Sequence, residues 1–120
     1  MVPDWIQPVE ANFVIHPKTD FILAVQATDL EGNAIDFTTA TLVGQARESV
    51  DSSSTAYNFA IDKTDAAAGK IVIRMTKAVT AQLQSLDTLV YDVLAVWPPG
   101  TTIKLLFGKL SVIQTVVSIA

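Results

Sequence analysis

The chain has 120 residues, with 12 acidic and 8 basic side chains, a formal net charge of -4 and no cysteine. That length supports one domain with a real core and leaves little for a deep catalytic cleft, while the missing cysteine excludes disulfides, thiolate nucleophiles and cysteine-held zinc. The acidic balance and scattered Lys and Arg argue against docking on nucleic-acid phosphates, and a 17% share of charged residues, against roughly a quarter in an average soluble domain, leaves an apolar surplus for a lone monomer.

No stretch reads as an export or membrane signal. Met1-Val2-Pro3-Asp4-Trp5 lacks a basic segment followed by an apolar one, so no signal peptide is expected. The longest apolar runs are interrupted by Asp92, Lys104, Lys109 and prolines before they reach the roughly 18 residues of a membrane helix. The reading is of a protein made in the cytoplasm, with neither nucleic acid nor membrane as its partner. Residues 1–10, carrying Pro3 and Pro8, form an amino-terminal arm; residues 11–113 form the domain, and residues 114–120 a β-prone tail.

Punctuation along the domain comes at strand spacing. Asn12 to His16 reads as a short strand closed by Pro17-Lys18-Thr19-Asp20, and Phe21 to Thr28 places Phe21, Leu23, Val25 and Ala27 on one face. A turn at Asp29 to Asn33 leads through Ala34 to Phe37 into a strand over Ala40 to Glu48. Ser49 to Ser54 is a polar loop. Tyr57, Phe59 and Ile61 alternate with Asn58, Ala60 and Asp62, the pattern of a strand wet on one face. After a turn at Asp65 to Gly69, Lys70 to Met75 is a further strand. Thr76 then stands as N-cap of a helical turn or two over Lys77 to Leu83, its hydroxyl placed to accept from free amides.

The last third carries the strongest signal. Leu89 to Trp97 and Thr102 to Val112 are alternating apolar runs joined by Pro98-Pro99-Gly100-Thr101, a long β-hairpin. Both of its faces are apolar: Tyr91, Val93 and Ala95 point one way, yet Leu94 and Val96 on the other side are also hydrophobic, as are Ile103, Leu105 and Phe107 across the turn. A face that should be wet but is apolar implies a covering partner. The predicted fold is an all-β, antiparallel, immunoglobulin-like β-sandwich of seven to eight strands with one short crossover helix.

Several runs resemble a known family. Phe13 to Ile15, Lys18-Thr19-Asp20-Phe21 and Thr28 to Thr41 are similar to the opening of a family of bacteriophage tail and baseplate domains. Gly69-Lys70-Ile71-Val72-Ile73, Thr80-Ala81-Gln82-Leu83, Val90-Tyr91-Asp92-Val93 and Gly108-Lys109-Leu110-Ser111-Val112 follow that family's order and spacing. Its members include the amino-terminal domain of the baseplate upper protein, an immunoglobulin-like sandwich that fastens receptor-binding parts to a tail. The resemblance implies a structural virion protein, a baseplate or tail-fibre attachment component that partners other virion proteins and forms a homo-oligomer. Pro17-Lys18 stands where the family usually has a first-turn glycine, and Phe107 where it has a charge before the last-strand glycine. The chain stops at Ala120 where the family continues, so an attachment module is implied rather than a receptor binder.

Catalytic or metal chemistry finds little footing. His16 is the one histidine, at a strand end with no nucleophile or orienting partner nearby in sequence. Asp29, Glu31 and Asp36 bracket a turn but lack calcium-loop spacing, and Ser52-Ser53-Ser54 reads as a loop. Gly44 and Gly108 inside strands mark a bulge or close backbone approach. Trp5 and Trp97 could stack on sugar rings, which keeps a carbohydrate- or host-surface-binding module as the alternative, although core or interface packing suits them better. No enzyme, cofactor or metal is expected. The expected contact surface comprises Trp5, Ile6, Leu94, Val96, Leu105, Phe107 and Val117, where arm, sheet face and tail meet other subunits.

Overall fold

The computed structural model describes residues 9–49, 56–83 and 88–113. The strands are β1 (Val9–Glu10), β2 (Phe13–Ile15), β3 (Phe21–Gln26), β4 (Thr41–Arg47), β5 (Tyr57–Asn58), β6 (Ala60–Asp65), β7 (Lys70–Met75), β8 (Thr88–Trp97) and β9 (Thr101–Val112); α1 covers Lys77–Thr80. They sort into two sheets. One runs β1-β9-β8-β4-β5, with β2 also on β9, and the other runs β3-β7-β6. The first is mixed, a correction to the all-antiparallel expectation, because β1 and β2 both lie parallel to β9. Nine strands rather than seven to eight appear among the described residues, since two of them are only two residues long.

Alternation decides the core. Along β8, Leu89, Tyr91, Val93, Ala95 and Trp97 are buried while Val90, Asp92, Leu94 and Val96 face the other way. Ile71, Ile73 and Met75 of β7 face them from the second sheet, and Leu110 and Val112 of β9 complete the layer. Phe59, Ile71, Ile73, Tyr91, Val93, Leu110 and Val112 are buried as expected, whereas Phe21, Leu23, Val25 and Tyr57 are only partly buried against that cluster. Ile35 and Phe37, expected to be little more than a connection, are buried, and Phe37 stacks on Trp97 with ring centroids 5.9 Å apart. Burial of each such side chain is worth roughly 1.5–3 kcal/mol.

The segment expected as one strand over Tyr57 to Asp62 is two. Tyr57 and Asn58 pair with Ala46 and Gln45 in the first sheet, then Ala60 onward pairs with β7 in the second. Phe59 marks the crossing. Its N–H donates to the Gly44 carbonyl at 2.9 Å, and its ring drops between the sheets. Gly44 makes room for it, since a Cβ there would stand 3.1 Å from the Phe59 ring.

The helical turn forms where expected, over α1 and a 3-10 turn at Ala81–Leu83, but its cap is different. Thr76 makes no side-chain cap hydrogen bond; Asp20, from the turn between β2 and β3, accepts from the Lys77 N–H at 2.9 Å. The buried Thr80 hydroxyl donates to the Thr19 carbonyl at 2.7 Å, tying the same turn to the helix. Within this turn Lys18 sits at a φ of 67°, the left-handed region that favours glycine.

The first strands are latched onto the last. The Ala11 N–H donates to the Phe107 carbonyl (2.8 Å), the Lys109 N–H to Asn12 Oδ1 (2.9 Å), and the Tyr91 hydroxyl to the Ala11 carbonyl (2.6 Å). Gly108 permits this approach, because a Cβ on it would stand 2.1 Å from the Ala11 oxygen. The expected close backbone approach at this glycine is what the structure contains.

Two opposite outcomes are expected in equilibrium denaturation. Gly108→Ala collides with the Ala11 backbone and lowers stability by about 1–3 kcal/mol, the scale of an overpacked site. Lys18→Gly removes a left-handed penalty of about 1–2 kcal/mol against a glycine entropy cost of about 0.5–1, for a net gain of about 0.5–1 kcal/mol.

Candidate functional site

The outer face of the first sheet is where the expected contact residues converge, and pairing register defines it. Val43 of β4 stands beside Leu94, and Thr41 beside Val96; across β8, Leu94 pairs with Lys104 and Val96 with Thr102. Leu94, Val96 and Val43 thus form an apolar strip ending near the Pro98 to Gly100 turn. Leu94 and Val96 are half-buried by their neighbours, whereas Val43 is 44% exposed.

Toward the other end the face turns polar. Asp92 pairs with Gln45 and Phe107, Val90 with Arg47 and Lys109, and Glu10 of β1 lies alongside Phe107. These side chains line a shallow depression of about 400 Å³. Lys104 Nζ stands 3.6 Å from the Asp92 carboxylate and 5.6 Å from the centre of the Phe107 ring, so one ammonium serves an ion pair and a cation–π contact. The pair is nearly half exposed, which keeps its worth to about 0–1 kcal/mol. The Arg47 guanidinium donates to Gln45 Oε1 at 3.3 Å, and Gln45 Nε2 to Asn58 Oδ1 at 2.8 Å. The face offers a chemically mixed surface: an apolar strip beside a patterned set of charges.

Leu105 does not belong to it, a correction to the expected contact set. Pairing slips between Val93↔Leu106 and Leu94↔Lys104, so Leu105 is the extra residue of a β-bulge. The slip turns it away from Leu94, Val96 and Phe107. Leu105 instead lines an apolar cleft of about 250 Å³ between the sheets, with Val9, Val25, Ile71, Ile73 and Leu106. Strict alternation across Thr102 to Val112 conceals that slip. Trp5, Ile6 and Val117 lie outside the described residues, as do Ser52 to Ser54.

The remaining candidates have structural partners. His16 is exposed and its Nδ1–H donates to the Ile113 carbonyl at 3.2 Å, which joins the end of β2 to the end of β9. Asp29 Oδ1 accepts from the Glu31 and Asn33 amides at 2.8 and 3.0 Å, an Asx turn. Asp36 accepts from the Thr38 hydroxyl and, at 2.8 Å, from its amide; the hydroxyl first and the amide second hold this carboxyl below the ordinary value. Among the described residues no three His, Asp or Glu side chains converge as metal ligands. Trp97 is 3% exposed, its indole N–H donating to the Asp36 carbonyl at 3.4 Å, so its ring is core rather than a sugar platform. No protein-family model and no curated protein matches the chain.

Burial pushes the Tyr91 hydroxyl up to about 12 from 10.0. The folded state therefore keeps a proton that the unfolded chain releases near pH 10, so this contribution to stability is complete below pH 10 and is lost as pH rises toward 12. Urea titrations between pH 9 and 12 are expected to show that decline. Tyr91→Phe should flatten it and cost about 1 kcal/mol at neutral pH through the lost bond to Ala11.

Proposed function

We propose that the chain is a structural virion protein of a bacteriophage tail, a baseplate or tail-fibre attachment component, with an immunoglobulin-like β-sandwich as its scaffold. The strand order supports the fold assignment: β5-β4-β8-β9 against β3-β7-β6 follows the C′CFG and BED sheets of that architecture. The resemblance of about residues 11–113 to tail and baseplate domains supports the role. The observation that carries it in the fold is the outer face of the first sheet, where Leu94, Val96 and Val43 remain partly or largely in water beside Phe107 and a set of fixed charges. An apolar strip with a polar rim is the composition of a protein contact surface.

On this reading the protein acts by binding rather than by catalysis. Leu94 and Val96 supply the desolvated centre, while Asp92, Lys104, Arg47 and Lys109 set orientation and exclude wrong partners. Neighbouring virion proteins and further copies of the chain are the partners, and the particle's tail is where the protein resides.

Phe107→Glu tests the surface. The side chain lies on the outer face beside Asp92 and Glu10, so the isolated domain should keep its fold while association weakens by several kcal/mol, through a third carboxylate buried against two others. Sedimentation of the variant and immunogold labelling of assembled particles give the readout. Absence of the wild-type protein from particles, or full incorporation of the variant, would overturn the proposal.

A further inference from the structure

A second surface, on the opposite sheet, carries an inference that does not rest on the virion reading. β3 ends the β3-β7-β6 sheet, and among the described residues no strand pairs with its outer edge. The other outer strand of that sheet, β6, carries Asp62, Lys63 and Asp65 and a register irregularity, the usual guards against strand addition. β3 has none of these. Its sequence, Phe21-Ile22-Leu23-Ala24-Val25-Gln26, is uncharged and lacks proline, and Ile22 is 65% exposed.

The hydrogen-bond parity of this edge is readable. The Ala27 N–H donates to the Gly69 carbonyl at 2.8 Å, one step beyond the Gln26↔Lys70 pair, so odd-numbered residues of β3 direct their backbone toward β7. The Lys70 carbonyl agrees, since it turns the other way and accepts from Thr64 on β6. Ile22, Ala24 and Gln26 therefore send N–H and C=O groups outward.

We propose that this edge pairs with β3 of a second copy of the chain, antiparallel about a twofold axis at Ala24. A twofold that keeps both inner faces on the same side must centre on a residue rather than between two, and a centre on Ala24 is the one that pairs all three outward residues of β3 with one another. Ala24 then lies opposite Ala24 of the copy, and Ile22 opposite Gln26, closing about six backbone hydrogen bonds. On the inner face Leu23 of each copy lies opposite Val25 of the other. Val25 also lines the apolar cleft between the sheets, so the added strand extends cover at its mouth.

Charge selects the second copy as occupant. At one end of β3 is the turn bearing Lys18 and Asp20, whose carboxylate is turned onto the Lys77 amide; at the other is the turn bearing Asp29 and Glu31. Antiparallel pairing centred on Ala24 brings the turn bearing Lys18 in each copy to the end of the strand where Asp29 and Glu31 of the other lie. The rows of β7 do not clash, because Arg74 lies beside Ile22 and Lys70 beside Gln26, separated by two neutral strands. The result is a continuous six-stranded sheet across the dimer.

Single-cysteine variants test the register in a chain that has no cysteine of its own. Ala24→Cys places two thiols on residues whose Cα atoms are about 5.5 Å apart, and a bismaleimide of short reach should join most of the protein into covalent dimers. Ile22→Cys places them roughly 13 Å apart along the strand and should crosslink at least tenfold more slowly. Ala24→Lys, at an exposed position that keeps the monomer folded by circular dichroism, should raise the dimer dissociation constant tenfold or more in sedimentation equilibrium. A wild-type chain that stays monomeric at high concentration, with the Ala24 amide protected from exchange, would assign the edge to the chain's own terminal segments and overturn the proposal. Equal crosslinking of both cysteine variants, or a dimer indifferent to Ala24→Lys, would overturn it too.

Discussion

Four aromatic rings hold the two sheets in their relation. Phe13 meets Phe21 and Tyr91, Phe59 meets Phe21 and Tyr91, and every centroid separation is 6.0–6.2 Å, so the contacts close into a cycle. Each ring arrives from a different element: β2, β3, the crossing between β5 and β6, and β8. Edge and tilted geometries at this spacing contribute about 0.5–1.5 kcal/mol per pair beyond burial. More important is what the cycle enforces. Phe59 reaches it only because the chain changes sheets there and Gly44 leaves the space, so the crossing and the core are one arrangement.

What could be read from the residues follows from which forces act locally. Period-two alternation placed Lys70 to Met75 and the long hairpin correctly, because burial on one face acts at every second residue. It placed Phe59 on a continuous strand, since crossing between sheets leaves the alternation of Tyr57, Phe59 and Ile61 undisturbed. Leu105 fails for the complementary reason: an inserted residue flips the face without changing composition. Thr76 looked like the cap by proximity in sequence, yet the carboxylate of Asp20, 57 residues away, holds the amide. Ile35 and Phe37 sit among turn residues, and nothing nearby signals that Trp97 will stack on Phe37.

The outer face of the first sheet was partly legible. Leu94, Val96 and Phe107 stand on one outer face, as alternation required. Its charged half was less visible, because Arg47, Asp92 and Lys109 come from three strands whose order is set by topology rather than by spacing. Two further positions bear on structure: Lys18 adopts the left-handed backbone that glycine would take, and Phe107 supplies the ring beneath Lys104. A side chain forced into a glycine conformation is a local conflict that the surrounding bonds must hold in place.

The latch of Ala11 and Asn12 on β9 has a kinetic corollary. Asn12 and Lys109 are 97 residues apart in the chain, as are His16 and Ile113, and Ile15 and Ile113 are 98 apart, so these bonds close the longest loops among the described residues. Loop entropy makes such contacts late in folding, after the local β8–β9 hairpin and the β6–β7 pair have formed. During synthesis β1 and β2 emerge before the other described strands and must wait for β9. Until then β2 has no ladder to join, and the Ala11 carbonyl has neither Tyr91 nor Gly108 to meet. The time for which that strand edge is open to wrong pairing on the nascent chain is thus set by translation of the β8–β9 hairpin.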